Sequence, residues 1–208
     1  MSDTPSERNS LCVCGSGKTT KNCCERIQKS KKFKYALHEV GHAALLPAGE
    51  WTHSSLCPTE KCPECKEEMK LAEEEPVTLG VSKGHTCSRF SLSGEKSFIY
   101  AVAGGATEVA CGLSMSEIVN FHIWGEYPSS MGSDFAILEA DIKHYHGNPE
   151  EYRDEIRSFF QIAVEHLRPF AGKLREIAII LAKNQLLTSA HVTFGFVQYE
   201  SLLTKLQT

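Results

Sequence analysis

The stretch Lys34-Tyr35-Ala36-Leu37-His38-Glu39-Val40-Gly41-His42-Ala43-Ala44-Leu45-Leu46 carries the residues best suited to chemistry. Its core is His-Glu-x-x-His. On a helix, His38 and His42 stand four residues apart on one face, within reach of a single ion. Glu39 projects beside them, where a carboxylate can hold a metal-activated water and take its proton. The apolar residues Tyr35, Ala36, Val40, Ala43 and Leu46 predict that this helix is buried, as one lining a cleft must be. Pro47 and Gly49 predict where it stops. A surface helix with two unrelated histidines would need neither the apolar stripe nor the intervening carboxylate. The segment predicts a zinc site of the hydrolytic kind, with Glu39 as its base.

The nine cysteines are spaced for metals rather than for a disulfide framework: Cys12-x-Cys14, adjacent Cys23-Cys24, and Cys62-x-x-Cys65. That usage suits a reducing compartment, and a cytoplasmic location is expected. The segment Gly15-Ser16-Gly17-Lys18-Thr19 suggests a phosphate-binding loop, but that motif needs a glycine five residues before Gly17, where Cys12 stands. No apolar strand precedes it, so the nucleotide reading fails. Cys12, Cys14, Cys23 and Cys24 instead supply four thiolates for a closed tetrahedral zinc site, with glycines permitting the tight turn between the pairs. Lys18, Lys21 and Arg26 would offset the charge of such a cluster. The pattern Cys-x-Cys-Gly-Ser-Gly-Lys followed by Lys-x-Cys-Cys closely resembles the SEC-C motif, a small zinc module appended to many bacterial proteins. The resemblance implies a role in docking a protein partner or in targeting, beside the simpler role of a structural staple.

A second cysteine group follows the His-Glu-x-x-His stretch. Cys62-Pro63-Glu64-Cys65 has the form of a zinc knuckle and Cys57 offers a third thiolate. For the fourth ligand His53, His85 and Cys87 all remain open. A further structural zinc is expected here, against the alternative of free or redox-active thiols.

These groups must be positioned by a chain of 208 residues, long enough for one sizeable core and a small appendage. A net charge of −4 argues against general nucleic-acid binding. No apolar run approaches the length of a membrane span, and the polar N-terminus does not read as a signal peptide. Residues 1–28 are expected to form the small zinc module, and 29–208 the main domain, with 50–75 as a cysteine-bearing insertion. After Pro47 the chain is expected to be irregular, then helical over 64–75. Residues 77–81 and 86–92 read as short strands. Helices are expected from Glu95 to about Gly112, from Asp134 to about His146, from Pro149 towards Pro169, and from Ala171 to about Lys183, with a last amphipathic turn near Leu206. The small residues Ala103-Gly104-Gly105-Ala106 predict a close helix crossing. The expected fold class is mainly α with a small β-sheet.

Residue chemistry alone leaves Asp134, Glu108, Glu139, Asp141, His144 and His146 open as the third ligand of the His38–His42 site. The order of elements resembles the peptidase domain of the FtsH-type AAA+ zinc proteases. The matching pieces are Tyr35-x-x-His38-Glu39-Val40-Gly41-His42-Ala43, the strands around Leu79-Gly80, Ala103-Gly104-Gly105-Ala106-Thr107-Glu108, and Gly132-Ser133-Asp134-Phe135 before the C-terminal helices. That resemblance implies an FtsH-peptidase-like helical domain, with zinc on His38, His42 and Asp134 and Glu39 as general base. The family's ATPase ring and membrane anchor have no counterpart in the sequence. The expectation is a zinc metallopeptidase acting on protein or peptide substrates without its own motor, with one catalytic and one or two structural zincs. The alternative is a catalytically silent zinc-binding regulator or adaptor acting through the SEC-C module.

Overall fold

The fold is taken from a computed structural model, which describes residues 10–11, 18–22, 24–47, 49–56, 84–88, 95–112, 118–188, 192–197, 201–202 and 204. These residues are mainly helical, with a small antiparallel sheet and a separate hairpin. The expected helix 64–75, strand 77–81 and residues 89–92 of the expected strand 86–92 lie outside them.

A 3-10 turn, Thr20–Asn22, leads into the short helix α1, Cys24–Gln28. The helix α2, Lys31–Ala44, carries the His-Glu-x-x-His stretch. The Ser30 side chain starts it by accepting from the Phe33 N–H, which satisfies one of the unpaired donors of the first turn. Gly49, at φ +83°, then turns the chain into strand β1, Trp51–Ser55. The sequence reading has this stretch irregular; it is the central strand of the sheet. Its alternation is masked because Ser54 and Ser55 are fully buried hydroxyls in place of apolar residues.

Strand β2, His85–Ser88, pairs antiparallel with β1, in register Ser54 to Thr86 and Ser55 to His85. Helix α3, Glu95–Ala110, is the axis of the molecule: α2 packs along one side of it and a later helix along another. Strands β3, Ile118–Phe121, and β4, Gly125–Pro128, form a hairpin that the sequence reading does not contain. A 3-10 turn, Ser129–Met131, then opens helix α4, Gly132–Tyr145. Phe135, Leu138 and Ile142 bury one face of α4 at helical spacing.

Asn148 accepts from the Glu150 N–H at the start of a 3-10 turn, Pro149–Tyr152, which continues into α5, Arg153–Leu167. Helix α6, Ala171–Asn184, packs on α2 and ends at Gln185 in the left-handed conformation, φ +63°. That turn sends the chain into β5, Leu186–Thr188, which pairs with the open side of β1 and gives the order β2-β1-β5. Helix α2 is thus enclosed by α3, α6 and the sheet, and every one of its residues from Ala36 to Ala44 is buried. Among the described residues no helix is long and apolar enough to cross a membrane.

Candidate metal centre

The α2–α3 crossing determines where the two imidazoles sit. At Gly41 an added Cβ would fall 2.6 Å from the Ala103 carbonyl oxygen, so only hydrogen lets α2 approach this closely. At Gly104 an added Cβ would lie 2.5 Å from both ring nitrogens of His38. The small-residue stretch of α3 is therefore both a helix crossing, as expected, and the cradle of His38. Gly105 plays the corresponding part for Met131, whose Cγ would be 2.6 Å from an added Cβ. Met131 ends the turn that opens α4, and Asp134 follows in the first turn of that helix. Phe135 anchors the same turn through ring contacts with Phe121, Trp124 and Tyr127 of the hairpin, at centroid distances of 4.9–5.6 Å. The hairpin and the α3 glycines together bring Asp134 to the histidines.

The Asp134 carboxylate spans both rings: Oδ2 is 3.0 Å from His38 Nε2, and Oδ1 is 3.4 Å from His42 Nε2. The two Nε2 atoms are 3.1 Å apart. One donor atom from each of His38, His42 and Asp134 lies within 4.8 Å of the others. Four ligands at zinc distances of about 2.0–2.1 Å form a tetrahedron with edges of roughly 3.3 Å, so these separations suit one ion. None of the other open candidates joins them. Glu108 lies one step outward, with Oε1 accepting from His38 Nδ1 at 2.9 Å. His42 Nδ1 donates to the Tyr100 carbonyl at 2.9 Å, and the Tyr100 ring stacks on its imidazole at 4.3 Å. Both Nδ1 positions are thereby occupied as donors, which leaves each Nε2 lone pair directed at the shared point.

Glu39 is 6% exposed and is held by Thr86, whose hydroxyl reaches Glu39 Oε2 at 3.0 Å and the Glu39 carbonyl at 2.9 Å. Ser54 supports that hydroxyl at 2.7 Å. Gly84, just before β2, leaves room for the carboxylate: an added Cβ would lie 2.7 Å from Glu39 Oε1.

Electrostatics favour a cation at this point. Burial pushes the Glu39 carboxyl up from its ordinary range, and the nearby His42 and His38 only partly offset this. For Asp134, burial acts upward too, but His42 and His38 outweigh it and hold the carboxyl well below the usual range. Burial pulls His38 down, yet Asp134 and Glu108 prevail and raise it well above an ordinary imidazole. Glu39, Glu108 and Asp134 place three carboxylates in this buried space, with the Lys34 ammonium 4.0 Å from Glu108. Burying carboxylates costs several kcal/mol each, and a divalent ion would offset part of that cost. The residues fit a zinc ion.

Sequence reasoning named His38, Glu39, His42 and Asp134, and the structure brings all four together. It did not identify Tyr100 or Thr86, and it weighed Glu108 only as a ligand. The spacing Glu108–Gly104 on one helix face was a usable signal for the outer partner, since four residues bring Glu108 beside the ring that Gly104 admits.

Of the N-terminal cysteines only Cys24 lies among the described residues; Cys12, Cys14 and Cys23 lie outside them. Leu11 and Thr19 bridge as antiparallel partners, and Lys183 of α6 donates to Cys24 Sγ at 3.7 Å. Cys57, Cys62 and Cys65 also lie outside the described residues. His53 lies in β1 with its ring centroid 5.7 Å from that of His85 in β2.

No curated protein matches the chain. The family model that matches is the SEC-C motif, a zinc-binding motif family, and it covers residues 8–26, the segment holding Cys12, Cys14, Cys23 and Cys24.

Proposed function

We propose that the chain is a zinc-dependent metallopeptidase with an FtsH-peptidase-like main domain and an N-terminal SEC-C zinc module. The observation that supports this reading most is the convergence of His38, His42 and Asp134 beside a buried carboxylate, Glu39, that is not itself one of the three donors. A site that only stored or sensed an ion would not require that fourth group. A zinc ion on the three donors would supply Lewis-acid activation of water and polarisation of a peptide carbonyl.

The remaining work belongs to the chain. Thr86 anchors one oxygen of Glu39 and leaves the other to receive the proton of the attacking water and pass it to the departing amine. Glu108 and the Tyr100 carbonyl fix the tautomers of His38 and His42 and keep their rings from turning. Strand β2 is an edge of the sheet among the described residues and starts beside Glu39. An extended peptide added to that edge would lay its backbone along the site through main-chain hydrogen bonds.

The SEC-C match favours a second reading, a zinc-bearing regulator or adaptor that binds protein partners without turnover. The two separate on one assay. Zinc-loaded full-length protein should cleave an unfolded protein substrate, lose that activity to a chelator and regain it when zinc is returned. Zinc-loaded protein that cleaves nothing, even with cell lysate supplying partners, would favour the second reading.

A further inference from the structure

Tyr100 meets the metal centre through three different groups, and only two of them act on His42. Its main-chain carbonyl accepts from His42 Nδ1 at 2.9 Å, and its ring stacks on the imidazole with planes 27° apart. The third group reaches another element: the phenol hydroxyl donates to the Thr86 carbonyl at 2.7 Å. Tyr100 lies in α3 and Thr86 in β2. One side chain therefore spans from a ring that would bind the ion to the strand that holds the base.

The reach of that hydroxyl follows from what Thr86 does. The Thr86 Oγ1 lies 3.0 Å from Glu39 Oε2 and 2.9 Å from the Glu39 carbonyl oxygen, with Ser54 Oγ at 2.7 Å. Thr86 is buried, and its β-branched side chain is stiff about χ1, so a shift of its backbone carries the hydroxyl with it. Strand β1 fixes that backbone from one side, with Ser54 opposite Thr86. The phenol fixes it from α3. A tyrosine ring is a rigid plane, and the stack on His42 sets where this one lies. The place of the imidazole and the place of Glu39 are thus mechanically linked.

We propose that Tyr100 is a positioning residue that sets Glu39 against the metal ligands. Its ring takes its place from His42, and its hydroxyl passes that place through Thr86 to Glu39. The effect on turnover rests on the peptidase reading; the coupling of β2 to α3 does not. A reacting group displaced by about 1 Å can lose roughly 100-fold in rate, so a bond outside the reacting atoms can govern turnover.

The variant Tyr100→Phe keeps the carbonyl and the ring stack and removes only the hydroxyl. In the full-length zinc-loaded protein it should keep the wild-type zinc content and a KM within about twofold, while kcat falls roughly 10–100-fold. Thr86→Val removes the next link of the same chain, so adding Tyr100→Phe to it should cost little more. A wild-type kcat in Tyr100→Phe, or losses that multiply in the double variant, would overturn the proposal. A tie with only a structural role would lower the melting temperature and leave kcat intact well below it. Amide exchange on the same proteins needs no turnover, so it reads the coupling even if the wild type cleaves nothing and the peptidase reading fails. The β2 amides should exchange roughly 2–10-fold faster in Tyr100→Phe, as loss of one hydrogen bond allows, while those of α4 stay as in the wild type. Unchanged protection over β2 would overturn the coupling.

Discussion

Asp134 shows how one residue type at one position can serve two different ends. A carboxylate near a helix start is favourable there through the local N–H groups and the helix dipole. Helix α4, however, is capped at Met131 with no side-chain bond, and the Asp134 carboxylate reaches His38 and His42 instead. Replacing it with Asn should therefore remove a ligand rather than exchange one cap for another. The expected loss of zinc affinity exceeds the roughly 10–100-fold typical of an outer partner such as Glu108. Activity should fall with the metal, and excess zinc should partly restore both. Zinc titration of Asp134→Asn alongside wild type checks this; a variant keeping both zinc and activity would return Asp134 to the role of a cap. His38, Glu39 and His42 were legible because helical spacing alone places them. Tyr100 and Thr86 were not, because a backbone carbonyl and a hydroxyl acquire their roles only when α3 and β2 are brought against α2.

At the scale of elements, the α2–α3 crossing decides whether the metal site exists. Gly104 faces the His38 ring, which itself is held by Glu108 and Asp134 and cannot retreat. Gly104→Ala should cost about 1–3 kcal/mol as an overpacked core and should lower zinc binding as well. Gly172, with nothing within 4 Å of an added Cβ, is the control: Gly172→Ala should leave both quantities intact or gain slightly. Thermal melts with metal analysis on the two variants check the pair of expectations, and equal behaviour would contradict the crossing's role. The helices α4, α5 and α6 were readable because start and stop residues such as Gly132-Ser133, Asn148-Pro149 and Pro169 bracket them. β1 was not, because its buried positions include Ser54 and Ser55, hydroxyls chosen to meet Glu39, Thr86 and His85 rather than an oily core. The β3–β4 hairpin escaped for a related reason: its strands are four residues each, and Val119 stays exposed.

The whole molecule joins a small zinc motif to a mainly helical core. Helix α1, which overlaps the end of the SEC-C segment, packs against α2, the helix that carries His38 and His42, and against α6. The SEC-C motif could be read directly because a closed thiolate site is encoded locally, within a few residues of chain. The open His38–His42–Asp134 site needed 96 residues of separation to be closed by folding, and only its first half was written as a motif. Whether that centre turns over substrate is the central claim, and Glu39 tests it most directly. Glu39→Gln preserves shape and hydrogen bonding to Thr86 while removing the base. Zinc content and cleavage of an unfolded protein should be measured on the variant and the wild type together. The account predicts unchanged zinc and a fall in cleavage of about 10²–10⁴-fold. Wild-type and variant proteins that carry the same zinc and cleave at the same rate would contradict it.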